Sequence, residues 1–172
     1  MEDHTGLAGH RAMNGPDSRS SRRKYLAGAG AGLMAGTVMA MAMMMLALFR
    51  NQSIWTMPNL IAAMWLGPDV ATGQLGFPTL AGFLTHEVTS TLMGVIALAW
   101  VAGLEGRRLL LASLAYALAS YPLVFSAVIS WANPVMYERT SMIVMTGAHL
   151  LYGIVFAAGY SLFLGKRNKS TA

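Results

Sequence analysis

Two histidines stand at the start of similar patterns within long apolar segments. In the chain these patterns read His86-x3-Ser90-x3-Gly94 and His149-x3-Gly153. A small residue one helical turn beyond an imidazole lets a flat ring approach the helix backbone, as bis-histidine haem ligation in a helical bundle requires. The candidate cofactor-binding residues are therefore His86, His149, Ser90, Gly94 and Gly153, and the candidate cofactor is haem b.

The methionines favour copper as an alternative to haem. The chain has 14 Met, and Met142-x2-Met145-x3-His149 places two thioethers and an imidazole on one face of a helix. Thioether sulfur together with imidazole suits Cu(I). Methionine also fills irregular gaps between helices, so packing is the competing explanation. The candidate metal ligands are His86, His149, Met142 and Met145.

Glu87 is the one acidic residue that the sequence places inside an apolar segment. An ionised carboxylate at the centre of a membrane span costs about 2.5 to 3.5 kcal/mol, so Glu87 is expected to be protonated, paired or near water. It could form a proton or solute path with His86 and His149. Alternatively, all three groups only form hydrogen bonds between helices.

Composition places these residues in a membrane protein. Of the 172 residues 55% are hydrophobic and only 11% are charged, less than half of the roughly 25% typical of soluble chains. The absence of cysteine excludes disulfides, iron–sulfur clusters and cysteine nucleophiles. The sequence contains no Ser-His-Asp set, paired carboxylates or metalloprotease motif, so we expect no catalytic residue and no enzyme.

Four apolar segments are long enough to cross a bilayer as helices. They cover residues 25–49, 79–104, 109–131 and 141–164, and the first would be about 37 Å long against a hydrocarbon core of about 30 Å. We predict an all-α, up-down-up-down bundle of four transmembrane helices in which spans two and four lie diagonally. Pro58 in a first turn and Gly67 as a stop indicate a short interfacial helix over residues 55–66.

The basic residues predict the orientation of the bundle. Ten of the 12 Lys and Arg lie in the N-terminal arm, the hinge between spans two and three, and the tail, whereas Arg50 and Arg139 lie on the other side. This bias predicts a bacterial inner-membrane protein with both termini cytoplasmic. Residues 1–24 are expected to form a disordered arm and residues 166–172 a short tail. Arg22-Arg23 resembles a twin-arginine export signal, but the same cluster is expected from topology alone.

Glycines in the first span predict close helix packing. Gly28, Gly32 and Gly36 repeat at four-residue spacing, which lets two helix backbones approach each other. We expect them to pack within the bundle, against the small residues from Gly153 to Gly165 on span four, with a homodimer as the alternative.

The two halves of the chain also share an order of motifs. Trp55-x2-Pro58 precedes His86, and Trp131-x2-Pro134 precedes His149, which predicts two duplicated helical hairpins. Chance is the competing explanation, because the shared characters are few.

These motifs carry a resemblance to a known group. W-x-x-P with N-L-I-A-A, H-x3-S-x3-G, N-P-x-M and H-L-x-Y-G together resemble a group of small, uncharacterised four-helix integral membrane proteins of bacteria. The resemblance covers most of residues 28–164 and implies a four-helix inner-membrane fold without implying a catalytic residue.

Two function classes follow from the sequence. The leading hypothesis is a non-enzymatic integral membrane protein, accessory or structural, that binds haem or a metal near the outer face through His86 and His149. The alternative is a small transporter or proton-conducting protein that uses Glu87 with both histidines. The expected partners are the lipid bilayer and either a larger membrane complex or a second copy of the chain. Nucleic acid is not expected, because the cations flank the spans instead of forming one face.

Overall fold

The protein is an all-α bundle in a computed structural model that describes residues 16–165, with side chains from residue 20. Among these residues there is no β-strand. The helices are α1 (Pro16–Phe49), α2 (Thr56–Leu66), α3 (Phe77–Ile96), α4 (Leu98–Val101), α5 (Gly106–Pro122), α6 (Ser130–Ala132), α7 (Pro134–Arg139) and α8 (Met142–Leu164). Four stretches are long and apolar enough to cross a membrane: Ser20–Phe49, Phe77–Val101, Gly106–Ala132 and Met142–Leu164. The predicted four-helix membrane fold is confirmed.

The two described chain ends meet at one end of the bundle. The guanidinium of Arg23 near the start of α1 donates a hydrogen bond to the carbonyl oxygen of Leu164 at the end of α8. We call the opposite end, where α2 and α7 lie, the distal end. Helix α1 packs on both α3 and α8, and α5 packs on α8, while the second and third spans meet mainly where α4 contacts α5. Spans two and four are therefore diagonal partners, as in an up-down-up-down bundle.

The predicted disordered arm is corrected in its last part. Residues 16–24 are helical and extend α1 beyond the apolar segment. Proline suits the first turn of a helix because its missing N–H would have no partner there, and Pro16 takes that place. Residues 1–15 of the arm and the predicted tail, 166–172, lie outside the described residues.

The glycines of α1 pack within the bundle, but against α3 instead of the expected α8. A Cβ placed on Gly32 would lie 2.5 Å from the carbonyl oxygen of Ser90 and 2.8 Å from the Cα of Gly94. Gly28 and Gly36 face the same ridge of α3. Because Ser90 and Gly94 also carry little or no side chain, the two backbones interlock at a distance that larger residues would prevent.

Helix α8 uses its small residues differently from the sequence-based expectation. A Cβ on Gly153 would lie 3.0 Å from the carbonyl oxygen of Ser113 on α5. Gly159 faces α1, where its Cβ would lie 3.3 Å from the Cα of Ala31. Since α8 packs between α5 and α1, its small residues are divided between two neighbouring helices.

The third span changes its winding in the distal half. Helix α5 ends at Pro122, and residues Leu123–Ile129 form a π-helical segment before α6. Proline has no N–H to donate and its ring crowds the preceding turn, so the regular hydrogen-bond ladder is interrupted at this point. Within this segment the side chain of Phe125 is buried, whereas those of Leu123 and Val128 are exposed.

Helix α2 is held firmly against the second span. Pro58 contacts Gly82 on α3 through its backbone, an approach that a side chain at position 82 would block. Asn59 is fully buried, and its amide nitrogen donates to the carbonyl oxygens of Thr72 and Gln74, both at 2.8 Å. Its Oδ1 accepts from the hydroxyl of Thr79 at 2.8 Å. These bonds attach both α2 and the loop that follows it to the start of α3.

Candidate functional site

Two adjoining cavities occupy the distal half of the bundle. The small cavity has a volume of about 50 Å³ and the large cavity about 300 Å³. Five side chains line both of them, namely His86, Met39, Met136, Met145 and Ile61. An imidazole, three thioethers and one aliphatic side chain therefore form the boundary between the cavities.

Both predicted histidines line the large cavity. Nε2 of His86 lies 3.0 Å from the carbonyl oxygen of Gly36, and Nδ1 of His149 lies 2.8 Å from the carbonyl oxygen of Met145. A carbonyl oxygen only accepts hydrogen bonds, so each of these nitrogens carries the proton. In a neutral ring the other nitrogen, Nδ1 of His86 or Nε2 of His149, keeps its lone pair. Histidines that bind metals usually have this arrangement, with the other ring nitrogen donating to a carbonyl or carboxylate.

The three methionines come from three different elements. Met39 belongs to α1, Met136 to α7 and Met145 to α8, and their side chains are 7%, 6% and 4% exposed. Asn133 fixes the position of α7, because its Oδ1 accepts from the backbone N–H of Met136 at 3.1 Å. Its amide nitrogen donates to the carbonyl oxygen of Leu60 on α2 at 2.7 Å. Thus α2 and α7 hold one wall of the site together.

Met142 is not brought to this site. Its side chain is 56% exposed, and it does not line either cavity. Met145, three residues later, points inward and lines both. The structure therefore separates the two methionines that the sequence grouped as metal ligands.

The small residues predicted to make room for a flat ring are used mainly for helix packing. Ser90 lines the large cavity, but Gly94 lies against Gly32 and Gly153 lies against Ser113. Helix backbones fill the space that a macrocycle would need beside these glycines. Both glycines therefore serve helix packing, and their predicted role in cofactor binding stays a prediction.

Glu87 is set apart from the two histidines. Its Oε2 accepts a hydrogen bond from the hydroxyl of Thr37 at 3.3 Å, on the seam between α1 and α3. It is absent from the described lining of both cavities. The arrangement therefore gives no direct contact between this carboxyl group and the cavity that His86 and His149 share.

Aromatic and hydroxyl groups line the large cavity. The indole N–H of Trp65 on α2 donates to the hydroxyl of Thr85 at 3.0 Å, and Phe125 of the π-helical segment forms part of the opposite wall. The hydroxyl of Tyr152 donates to the carbonyl oxygen of Ser90 at 2.8 Å and so bridges the diagonal spans. Together with the neighbouring apolar residues, these groups give the cavity that both imidazoles line a largely apolar wall.

Imidazole, thiolate and carboxylate groups alone do not form a metal site in the described part of the chain. Within residues 20–165 no three such side chains cluster closely enough to hold a metal ion. A metal site at the shared boundary would therefore need the thioethers as ligands. Thioether sulfur and imidazole select soft cations such as Cu(I).

Comparison with protein-family models, curated proteins and solved structures gave no match for this chain. The suggested relationship to small four-helix bacterial membrane proteins therefore stays a prediction. Any functional conclusion has to come from the geometry of the site itself.

Sequence reasoning missed two of the three converging methionines. Met39 stands among five other methionines between residues 34 and 45, where every face of the helix carries one, so spacing could not identify the buried one. Met136 offered a better signal. It follows Asn133-Pro134, a pair typical of a helix start, which places Met136 in the first turn of a capped helix.

Proposed function

We propose that this protein is a non-enzymatic, multi-pass membrane protein that binds a soft monovalent metal ion, Cu(I) in the cell. The ligands are the thioethers of Met39, Met136 and Met145 with His86, and His149 supplies a further imidazole from the large cavity. The observation that carries the proposal is the convergence of three buried methionines and one imidazole on the boundary of two cavities.

The environment of these groups suits a soft cation. Thioethers are neutral ligands, so a monovalent ion adds only one charge to an apolar interior, where unpaired charge is costly. The hydrogen bonds of both imidazoles to backbone carbonyls select which ring nitrogen carries the proton, so each neutral ring offers its other nitrogen to an ion. The ligands also come from α1, α3, α7 and α8, so an ion bound among them would hold these elements together.

The same contacts favour a metal ion over haem. A haem held by both histidines would need Nε2 of His86, the usual haem ligand atom, which donates to Gly36, and it would need space that helices occupy beside Gly94 and Gly153. A single ion needs neither.

The location proposed is the bacterial inner membrane. Both chain ends would be cytoplasmic and the distal end would face outward. Support comes from the basic residues, because ten of the 12 precede the first span, follow the fourth or connect the second and third in the sequence, while Arg50 and Arg139 belong to the other two connections. The metal site would then open toward the outer leaflet.

The proposal is tested by titrating silver(I), an air-stable substitute for Cu(I), into the purified protein in detergent by calorimetry. The test variant carries Met39→Leu, Met136→Leu and Met145→Leu. Leucine conserves volume and removes sulfur, and each such exchange usually costs less than about 1.5 kcal/mol of stability. Loss of a supporting group around a metal site weakens affinity roughly 10–100-fold, so loss of three ligands is expected to abolish stoichiometric binding.

The matched control carries three leucines at exposed methionines, Met41, Met45 and Met142. It should bind silver like the natural sequence. Equal weakening in both triple variants, or stoichiometric binding that survives the test variant, would contradict the proposed ligands. Circular dichroism on each variant establishes that the helices remain intact. A Soret band that disappears in both His86→Ala and His149→Ala would replace the metal proposal with haem.

A further inference from the structure

A third cavity opens at the distal end of the bundle, above the small cavity. Its volume is about 330 Å³, and Met43 and Met57 line both it and the small cavity. We call it the vestibule. Its wall combines the end of α1, the start of α2 and the junction of α7 with α8, and its polar lining consists of Arg50, Gln52, Thr56, Arg139, Thr140 and Ser141.

The lining of the vestibule is positively charged. Arg50 and Arg139 are the basic residues that the sequence places on this side of the membrane, and both line the vestibule. Asp69 and Glu138 also belong to this end, but neither is among the described residues of the lining. Two guanidinium groups that share a concave site repel each other unless an anion lies between them.

One of the two arginines is held in place by the backbone. Nη1 of Arg139 donates to the carbonyl oxygen of Ala71 at 3.1 Å. A guanidinium has five N–H donors, so this single bond orients the group and leaves donors for a ligand. The hydroxyl groups of Thr56 and Ser141 add donors around the same cavity, whereas that of Thr140 donates to the carbonyl oxygen of Met136 at 2.6 Å.

We propose that the vestibule binds a phosphate-type oxyanion between Arg50 and Arg139. Guanidinium groups match phosphate oxygens with paired, charge-assisted hydrogen bonds, which makes arginine the preferred residue for such ligands. The site lies where a membrane surface meets water, so the phosphate is either a free ion or the headgroup of an anionic lipid. This binding is independent of the metal site.

The test uses the full-length protein in a neutral maltoside detergent at constant ionic strength. Inorganic phosphate replaces chloride in one arm, and phosphatidylglycerol is added in place of phosphatidylcholine in the other. At a ligand concentration tenfold above Kd, the melting temperature is expected to rise by about 3 to 6 °C. A rise with inorganic phosphate identifies a free oxyanion, and a rise with phosphatidylglycerol alone identifies a lipid headgroup.

The key variant is Arg50→Gln, because Arg50 is exposed and its replacement leaves the bond from Arg139 to Ala71 intact. It should weaken binding of the effective ligand roughly tenfold or more, the loss expected for one charge-assisted contact. Arg107→Gln, at the opposite end of the bundle, is the matched control and should keep the full response. The proposal is overturned if neither ligand raises the melting temperature, or if Arg50→Gln responds like the natural sequence.

Discussion

Adding one methyl group at Gly32 should separate the first two spans. In Gly32→Ala the new Cβ would lie 2.5 Å from the carbonyl oxygen of Ser90 and 2.8 Å from the Cα of Gly94. Ordinary carbon–carbon contacts in proteins are about 3.5–4.0 Å. Both obstacles are backbone atoms, which no change of side-chain rotamer can move. The helices must therefore part by roughly 1 Å along this seam.

The size of the effect follows from two opposing contributions. Overpacking a tight interface costs typically about 1–3 kcal/mol, and the backbone contacts here place Gly32→Ala near the upper value. Alanine in place of glycine within a helix gains roughly 1 kcal/mol. The expected net loss in the free energy of unfolding is about 2 kcal/mol. Gly147→Ala on α8 is the matched control, because its Cβ meets nothing within 4 Å, and it should gain up to roughly 1 kcal/mol.

To measure this difference, both variants are unfolded with dodecyl sulfate in mixed micelles, and circular dichroism monitors the loss of helix. Gly32→Ala should be less stable than Gly147→Ala by about 3 kcal/mol. Silver affinity should fall with it, because Gly36 on the same seam accepts the hydrogen bond of His86. If the two alanine variants unfold at the same denaturant fraction, the helices are not in the close contact described, and the reasoning fails.

Three further predictions use the same unfolding and silver-binding assays. Tyr152→Phe should cost about 0.5–1.5 kcal/mol, because it removes a buried hydrogen bond between the second and fourth spans. Tyr160→Phe is its control and should cost little, since the hydroxyl of Tyr160 has no hydrogen-bond partner within the described part of the chain; equal losses would contradict the assignment. Asn59→Leu should destabilise the protein by more than about 2 kcal/mol, because the carbonyl oxygen of Thr72 and the hydroxyl group of Thr79 lose the hydrogen-bond partner that Asn59 supplies. Unchanged stability would contradict this role of Asn59. Glu87→Gln should leave silver affinity unchanged within twofold, roughly 0.4 kcal/mol; a larger loss would place this carboxyl group in the site.

Hydrophobicity determined much of this fold at the level of sequence. Four long apolar segments have to be helices, because a backbone in lipid must satisfy its own hydrogen bonds, and their spacing led to the correct number of spans. Single residues also marked local features. Gly67 has a positive φ of 86° at the end of α2, and Pro58 lies in the first turn of that helix. Such features depend on neighbours along the chain, which a sequence shows directly.

Only the tertiary structure decided which faces of these helices meet. The glycines of α1 could have packed on either neighbouring span, and only the close approach of Ser90 and Gly94 assigns them to α3. Likewise, Met39 and Met136 lie 97 positions apart in the sequence, and they line the same cavities only because α7 folds back onto α2. Rotation of a nearly uniformly apolar helix leaves its hydrophobicity almost unchanged. Side-chain shape and a few buried hydrogen bonds therefore decide which residues face each other. Neither can be read from the pattern of hydrophobic residues in the sequence.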